Sequence, residues 1–177
     1  ELSVPGYLQP TNLVDASLRL IKSAKNPLKN RARIRFHINT SEIMGRVILL
    51  DREELKAGEE ALVQIILEGL ITMERGDRFI IRSYSPAYTI GGGWVLRYGA
   101  VRLKRFKEET LKALNIFARG SLPDIVEYFY CEDGKKTLTV DDVSKRANVH
   151  PSVAEKVIRE LISKGVLLSF SPEHKYV

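Results

Sequence analysis

Apolar and polar positions alternate with a period of two along the first half of the chain, then recur at helical spacing after a change near Leu103. Val14, Ala16, Leu18 and Leu20 alternate with Asp15, Ser17, Arg19 and Ile21, which predicts a half-buried strand. Asn26-Pro27 marks a turn. In the following strand Ala32, Ile34, Phe36 and Ile38 point one way, and Arg31, Arg33, Arg35 and His37 the other. Arg46–Leu50, Ala61–Leu67, Arg78–Ser83 and Trp94–Tyr98 predict further strands, with a turn at Lys56-Ala-Gly58. Short strands at turn-punctuated intervals fit a small barrel better than a parallel sheet.

After Leu103 the pattern turns helical. Phe106, Leu111, Leu114 and Phe117 form one amphipathic stripe, closed by Gly120. Pro123–Tyr130 predicts a second helix, with Ile125, Val126 and Phe129 inward. Thr139-Val-Asp-Asp is a helix start, with Thr139 as cap and acids suited to the first turn. Pro151 opens the last helix near its first position, and Val153, Val157, Ile158, Leu161 and Ile162 supply its core stripe. Gly165 stops it, and Val166–Ser171 with His174–Val177 predicts a β-hairpin. Helix, turn, helix and hairpin in this order describe a winged helix. The expected fold is therefore mixed: an all-β barrel over residues 1–103, then a small α+β winged-helix domain over 104–177.

Composition narrows the class. Hydrophobic residues make up 44% of the 177 and charged residues 28%, an ordinary globular balance. Apolar runs are far shorter than the ~20 residues that span a bilayer. Cys131 is the single cysteine, so no intrachain disulfide forms, in keeping with a cytoplasmic location. His37, His150 and His174 have no cysteine partners at ligand spacing, so no metal is expected. Glu1-Leu-Ser-Val-Pro carries neither an initiator Met nor a signal-peptide pattern and reads as the middle of a longer protein.

Charge placement says more than the net of +6. Through Ile38 there are seven Lys or Arg against Glu1 and Asp15, so most of the excess lies in the first fifth of the chain. Period-two spacing puts Arg31, Arg33, Arg35 and His37 roughly 7 Å apart on one strand face, comparable to phosphate spacing along a nucleic-acid strand. No Asp or Glu occurs between Lys22 and Thr40. The row is thus a candidate polyanion contact, the alternative being a solvated face whose arginines serve solubility.

Other constellations are weaker. Thr89-Ile-Gly-Gly-Gly93 precedes a strand and not a helix, which argues against a phosphate-cradling loop and for a bulge or tight barrel crossing. Tyr84, Tyr88 and the hydroxyls of Ser83, Ser85 and Thr89 remain candidates to face a sugar–phosphate backbone. On the last helix Lys156 and Arg159 are possible nucleic-acid contacts, but Glu155 and Glu160 beside them balance the charge and favour a packing or spacer role. Asp141 and Asp142 diverge by ~100° on a helix and form no catalytic pair. No nucleophile–histidine–acid set is evident, so catalysis by this chain is not expected.

Two stretches carry a family resemblance. Arg33-Ile-Arg-Phe-His-Ile-Asn-Thr-Ser-Glu-Ile-Met-Gly45, and Gly76-Asp-Arg-Phe-Ile-Ile-Arg82 with Thr89-Ile-Gly-Gly-Gly93, resemble the third domain of translational GTPases of the elongation factor Tu type. Within that superfamily, His37-Ile-Asn-Thr-Ser-Glu, Leu50-Asp-Arg-Glu-Glu-Leu, Ala61-Leu-Val-Gln, Gly76-Asp-Arg-Phe-Ile-Ile-Arg-Ser-Tyr-Ser-Pro and Thr89-Ile-Gly-Gly-Gly are most similar to the bacterial selenocysteine-specific elongation factors (SelB). The resemblance covers roughly residues 1–103, and a following winged helix fits the same family.

The resemblance implies a share in delivering selenocysteyl-tRNA to the ribosome at recoded UGA codons. GTP and Mg²⁺ would belong to a preceding GTPase domain, with no cofactor here. It places a tRNA T-stem grip on Arg35, His37, Thr40 and Met44, and on Ser83, Tyr84, Tyr88 and Thr89. Met44 stands where elongation factor Tu commonly has a hydroxyl residue. The mRNA recoding hairpin would be held by further winged helices, not this one. Two rivals stay open: a winged-helix DNA-binding regulator with a β-rich sensor domain, and a protein-interaction scaffold.

Overall fold

The computed structural model describes residues 10–98, 101–132, 137–168 and 175–176. Two compact units result, Glu1–Asn115 and Ile116–Val177.

Among its described residues the first unit holds eight strands: β1 (Thr11–Leu20), β2 (Leu28–Lys29), β3 (Arg33–Ile38), β4 (Ser41–Leu49), β5 (Glu54–Leu55), β6 (Glu60–Ile71), β7 (Arg78–Ser83) and β8 (Thr89–Tyr98). Six of them close into an antiparallel barrel in the order β1-β6-β4-β3-β7-β8, with β8 returning to β1. β2 and β5 form a separate two-stranded pair. Ile34, Phe36 and Ile38 of β3 point inward beside Val47, Val63 and Ile81, and all are essentially buried. Phe36 packs on Phe79 with ring centroids 4.9 Å apart. A buried Phe contributes about 1.5–3 kcal/mol through its apolar area.

The glycine triad lies inside β8, paired to β1 and β7 on either side. A Cβ at Gly91 would stand 2.6 Å from the Arg19 carbonyl oxygen, and one at Gly92 2.6 Å from that of Phe79. At Gly93 it would collide with the Ser17 carbonyl oxygen. The backbones of three strands meet where only hydrogen fits. The pairing register with β7 shifts next to Gly91, while that with β1 runs unbroken through the triad and shifts further on, between Val95 and Arg97.

β1 differs from the half-buried strand expected of its alternation. Its inward residues are those read from the sequence, but the outward Asp15 and Ser17 are buried too. Ser17 Oγ donates to Glu60 Oε1 over 2.7 Å. Asp15 is covered by Gln64 and Arg97. The stretch after the barrel strands folds back over this area: Gln64 Nε2 donates to the Val101 carbonyl (3.0 Å), and Leu103 N donates to Gln64 Oε1 (3.1 Å). Arg105 then fastens the stretch further, donating to the Leu49 and Arg52 carbonyls, each over 2.7 Å.

The helices are α1 (Glu108–Arg119), α2 (Leu122–Glu132), α3 (Val140–Ala147) and α4 (Pro151–Ser163). Phe106, expected on the α1 stripe, instead precedes the helix with φ 57° and is 58% exposed. Its N–H is held by the Leu50 carbonyl, which keeps it out of the helical turn. In the second unit α2, α3 and α4 pack around Val126, Val143, Ala147, Ile158 and Leu161.

Thr139 caps α3 through a capping box with Asp142. Asn148 ends α3 in the left-handed conformation, and His150 caps α4 with Pro151 in its first turn. The inward stripe of α4 is Ala154, Val157, Ile158 and Leu161, a strict i, i+3, i+4, i+7 set. Val153, expected on that stripe, lies about 100° off it and is exposed. Short strands β9 (Leu138–Thr139) and β10 (Lys175–Tyr176) pair antiparallel. Of the hairpin expected over Val166–Ser171 and His174–Val177, residues 169–171, 174 and 177 lie outside the described residues; residues 166–168 are not in a strand, and Lys175–Tyr176 pair with β9.

Candidate nucleic-acid interface

Alternation along β3 turns Arg33, Arg35 and His37 outward while Ile34, Phe36 and Ile38 fill the barrel. Arg31 is not part of this row. It precedes β3 in a turn with φ 64°, where its N–H donates to the Val47 carbonyl over 2.8 Å. The strand pattern does not extend back through that turn.

Register supplies neighbours that a single-strand reading missed. Arg33 stands opposite Arg46 of β4, and Arg35 opposite Met44 on one side and Arg82 of β7 on the other. His37 lies between Glu42 and Ile80. Their signal was present in the sequence: Glu42, Met44 and Arg46 alternate along β4, and Arg78, Ile80 and Arg82 along β7.

Carboxylates also reach this surface, from strands outside the acid-free stretch Lys22–Thr40. Arg33 Nε and Nη2 each donate over 3.0 Å to the two oxygens of Glu68 on β6. Arg35 Nη1 meets Glu42 Oε1 at 2.6 Å, and His37 Nε2 lies 3.6 Å from Glu42 Oε2. The expectation that no acid neutralises the row is therefore corrected. The hydrogen-bonded Glu68 carboxylate holds the Arg33 guanidinium above its ordinary pKa. Arg35, aided by the charges of His37 and Arg82, holds Glu42 below the usual carboxylate range. Four guanidiniums, Arg33, Arg35, Arg46 and Arg82, still face two carboxylates, so the surface keeps a positive excess.

The β7–β8 loop closes one end of the face. Ser83 N donates to the Tyr88 carbonyl over 2.9 Å, Ser83 Oγ bonds the Pro86 carbonyl, and Tyr88 N reaches Ser83 Oγ at 3.3 Å. The Ser83 hydroxyl is thus engaged within the loop. Arg35 Nε donates to the Tyr84 carbonyl at 3.2 Å, and Arg82 Nη2 to that of Ala87 at 3.0 Å, so two face arginines brace the loop. Tyr84 is exposed, with the Arg33 guanidinium 4.4 Å from its ring centroid and that of Arg35 at 5.9 Å.

Arg33, Arg35, His37, Met44 and Tyr84 are thus brought onto one outer surface. Half-buried Tyr88 and exposed Thr89 flank the loop end, where Thr89 pairs with Arg82. Thr40 is exposed in the β3–β4 turn, at the far end of β3 from Tyr84.

In the second unit Arg159 is tied to Glu155 over 2.6 Å, and Lys164, 2.6 Å from Glu160, holds that carboxyl below its ordinary range with the charge of exposed Lys156 adding to the effect. Lys145 pairs with Asp141 at 2.8 Å, and Arg146 with Glu132 at 3.2 Å. Most cations described here are paired with acids of the same or a neighbouring helix. Among the described residues no group of His, Cys, Asp or Glu forms a metal-holding cluster, and no helix is long and apolar enough to cross a membrane.

The family model for the β-barrel domain of selenocysteine-specific elongation factors matches residues 15–102. The selenocysteine-specific elongation factor of Desulfomicrobium baculatum is 26% identical over 174 residues, covering 98% of this chain and 27% of the relative. The chain thus spans about a quarter of the length of the curated relative it matches.

Proposed function

Because the chain belongs, through its barrel, to the selenocysteine-specific elongation factor family, we propose that it is the tRNA-gripping and spacer portion of such a factor. The observation that carries this reading is the outward β4–β3–β7 surface, positive in excess and closed by the exposed Tyr84. Such a surface suits the backbone of a folded RNA, bound through phosphate contacts and shape with little base reading. Arg33, Arg35, Arg46 and Arg82 supply the field, with His37 beside them, and Tyr84 a platform for a sugar or base. Tyr88 and Thr89 lie at its edge. The tRNA is selenocysteyl-tRNA, carried to the ribosome in the cytoplasm, and GTP, Mg²⁺ and catalysis belong to other parts of the longer factor.

The helical unit is read as a winged helix: β9, α3 and α4 follow in that order, a left-handed Asn148 turns α3 into α4, and β10 pairs back on β9. Its self-paired charges support a spacer and not a groove-inserting module, so the mRNA hairpin is assigned to further winged helices.

Filter binding against a tRNA and a duplex DNA over a salt series tests the assignment. The expected result is a preference for tRNA that falls steeply with salt, and at least a tenfold loss in the folded Arg33→Glu/Arg35→Glu double variant. Equal tRNA affinity in that variant removes the barrel face from the reading. Dominance of duplex DNA, lost on Lys156→Ala/Arg159→Ala, would instead establish the DNA-regulator alternative, and binding to neither nucleic acid would favour a protein scaffold.

A further inference from the structure

We propose that Glu42 and Glu68 act as internal stand-ins for phosphate, holding the arginines of the barrel face in binding geometry while limiting how tightly that face takes RNA. The inference rests on the tRNA reading above and concerns what sets its affinity.

The geometry is that of an occupied anion site. Glu68 offers two oxygens to Nε and Nη2 of Arg33, both at 3.0 Å, the fork-to-fork arrangement that a phosphate also satisfies. Glu68 belongs to β6, so its side chain reaches across β4 to meet β3. Glu42 spans two side chains of the row, with Oε1 2.6 Å from Arg35 Nη1 and Oε2 3.6 Å from His37 Nε2. Each carboxylate therefore occupies a place where an RNA phosphate gains most.

Neither pair is built to hold the fold together. The Arg33 and Glu68 side chains are 37% and 47% exposed, and Arg35 and Glu42 31% and 39%. Ion pairs this open to water add little to stability. The structural gain is small, and each pair lowers the affinity for an incoming anion by the same modest factor, because the carboxylate must leave before phosphate enters.

Tethering adds selectivity. A carboxylate on a neighbouring strand is present at high effective concentration, so a lone phosphate displaces it poorly. An RNA backbone brings several phosphates at once, at a spacing of several ångströms, and exchanges both pairs together. Arg46 and Arg82, which no carboxylate holds among the bonds described, give the backbone its first contacts.

The test compares the full chain with Glu42→Gln, Glu68→Gln and the double variant, each checked by circular dichroism melting. Amide replacement keeps side-chain shape and removes the charge. Binding is read by anisotropy of a labelled, unacylated tRNA, with inorganic phosphate as competitor. Each single variant should bind tRNA about threefold more tightly, consistent with releasing an exposed ion pair. The double variant should gain roughly tenfold, and, with each protein held at its own half-saturating concentration, phosphate should displace its tRNA at lower concentration than from the wild type. Wild-type binding with no gain in the folded double variant overturns this inference and leaves the tRNA reading in place. No binding by any of the four proteins overturns that reading, and this inference with it.

Discussion

Gln64 and Asp15 stand directly opposite each other on β6 and β1, and a 2.8 Å hydrogen bond from Gln64 Nε2 to Asp15 Oδ1 joins them in a buried position. The same amide holds Val101 and Leu103, so one side chain links two strands to the chain that leaves the barrel. Arg97 completes the cluster, with Nε 3.1 Å from Asp15 Oδ2.

Removing the amide while keeping bulk leaves the Val101 carbonyl and Leu103 N–H without this partner. Gln64→Leu is expected to cost about 1–3 kcal/mol, seen as a lower urea midpoint. Amide exchange at Leu103 should accelerate more than exchange in the middle of β3.

Asp15 also gives the barrel a pH signature. Burial pushes its carboxyl above the ordinary range, against the opposing pull of Arg97 and of the hydrogen bonds from Gln64 and Arg97. A folded pKa raised above the unfolded value of about 3.9 means that ionisation is disfavoured in the fold. The penalty is absent below the unfolded pKa and grows to its full size as pH rises through the folded one. Stability of Asp15→Asn relative to wild type should therefore increase across that window, in urea titrations at stepped pH.

The helical unit has the opposite sign. Bonds from the Thr139 hydroxyl and N–H hold Asp142 below its ordinary pKa. Ser121 does the same for Asp124 at the start of α2. These contributions are present above about pH 4 and vanish as pH falls through the depressed folded values. Thr139→Ala should lower stability by about 1 kcal/mol at neutral pH, and by much less in acid.

Gly93 and Gly76 make a matched pair. A Cβ at Gly93 collides with the backbone of β1, whereas one at Gly76 meets nothing within 4 Å and faces only the strain of φ 92°. Gly93→Ala is expected to cost about 3 kcal/mol or more, and Gly76→Ala about 1 kcal/mol. Thermal midpoints of the two variants decide it.

Arg46→Ala and Arg82→Ala test the part of the proposed RNA face that the strand row alone did not reveal. Each should weaken tRNA binding about threefold to tenfold and flatten the salt dependence by about one phosphate contact, read by filter binding. Unchanged affinity in both would confine the contact to β3.

Much of this architecture was legible because side-chain direction in a strand follows sequence parity. The inward set Ile34, Phe36 and Ile38 and the limits of β7 could be read from alternation alone. Thr139 and Pro151 could be placed because capping is local chemistry. Arg31 was misplaced because a left-handed turn breaks parity without any glycine or proline to announce it. Glu42 and Glu68 were missed as partners because strand order brings β4 and β6 beside β3, and register is a property of the assembled sheet. Burial of Asp15 likewise depends on residues some fifty and eighty positions away.

With β8 hydrogen-bonded back to β1, the six-stranded cylinder offers no open rim onto which a foreign strand can zip. Whatever docks on its wall must be read through side-chain tips and not through borrowed main-chain bonds. Taste for a ligand can then drift one residue at a time, with the scaffold underneath untouched.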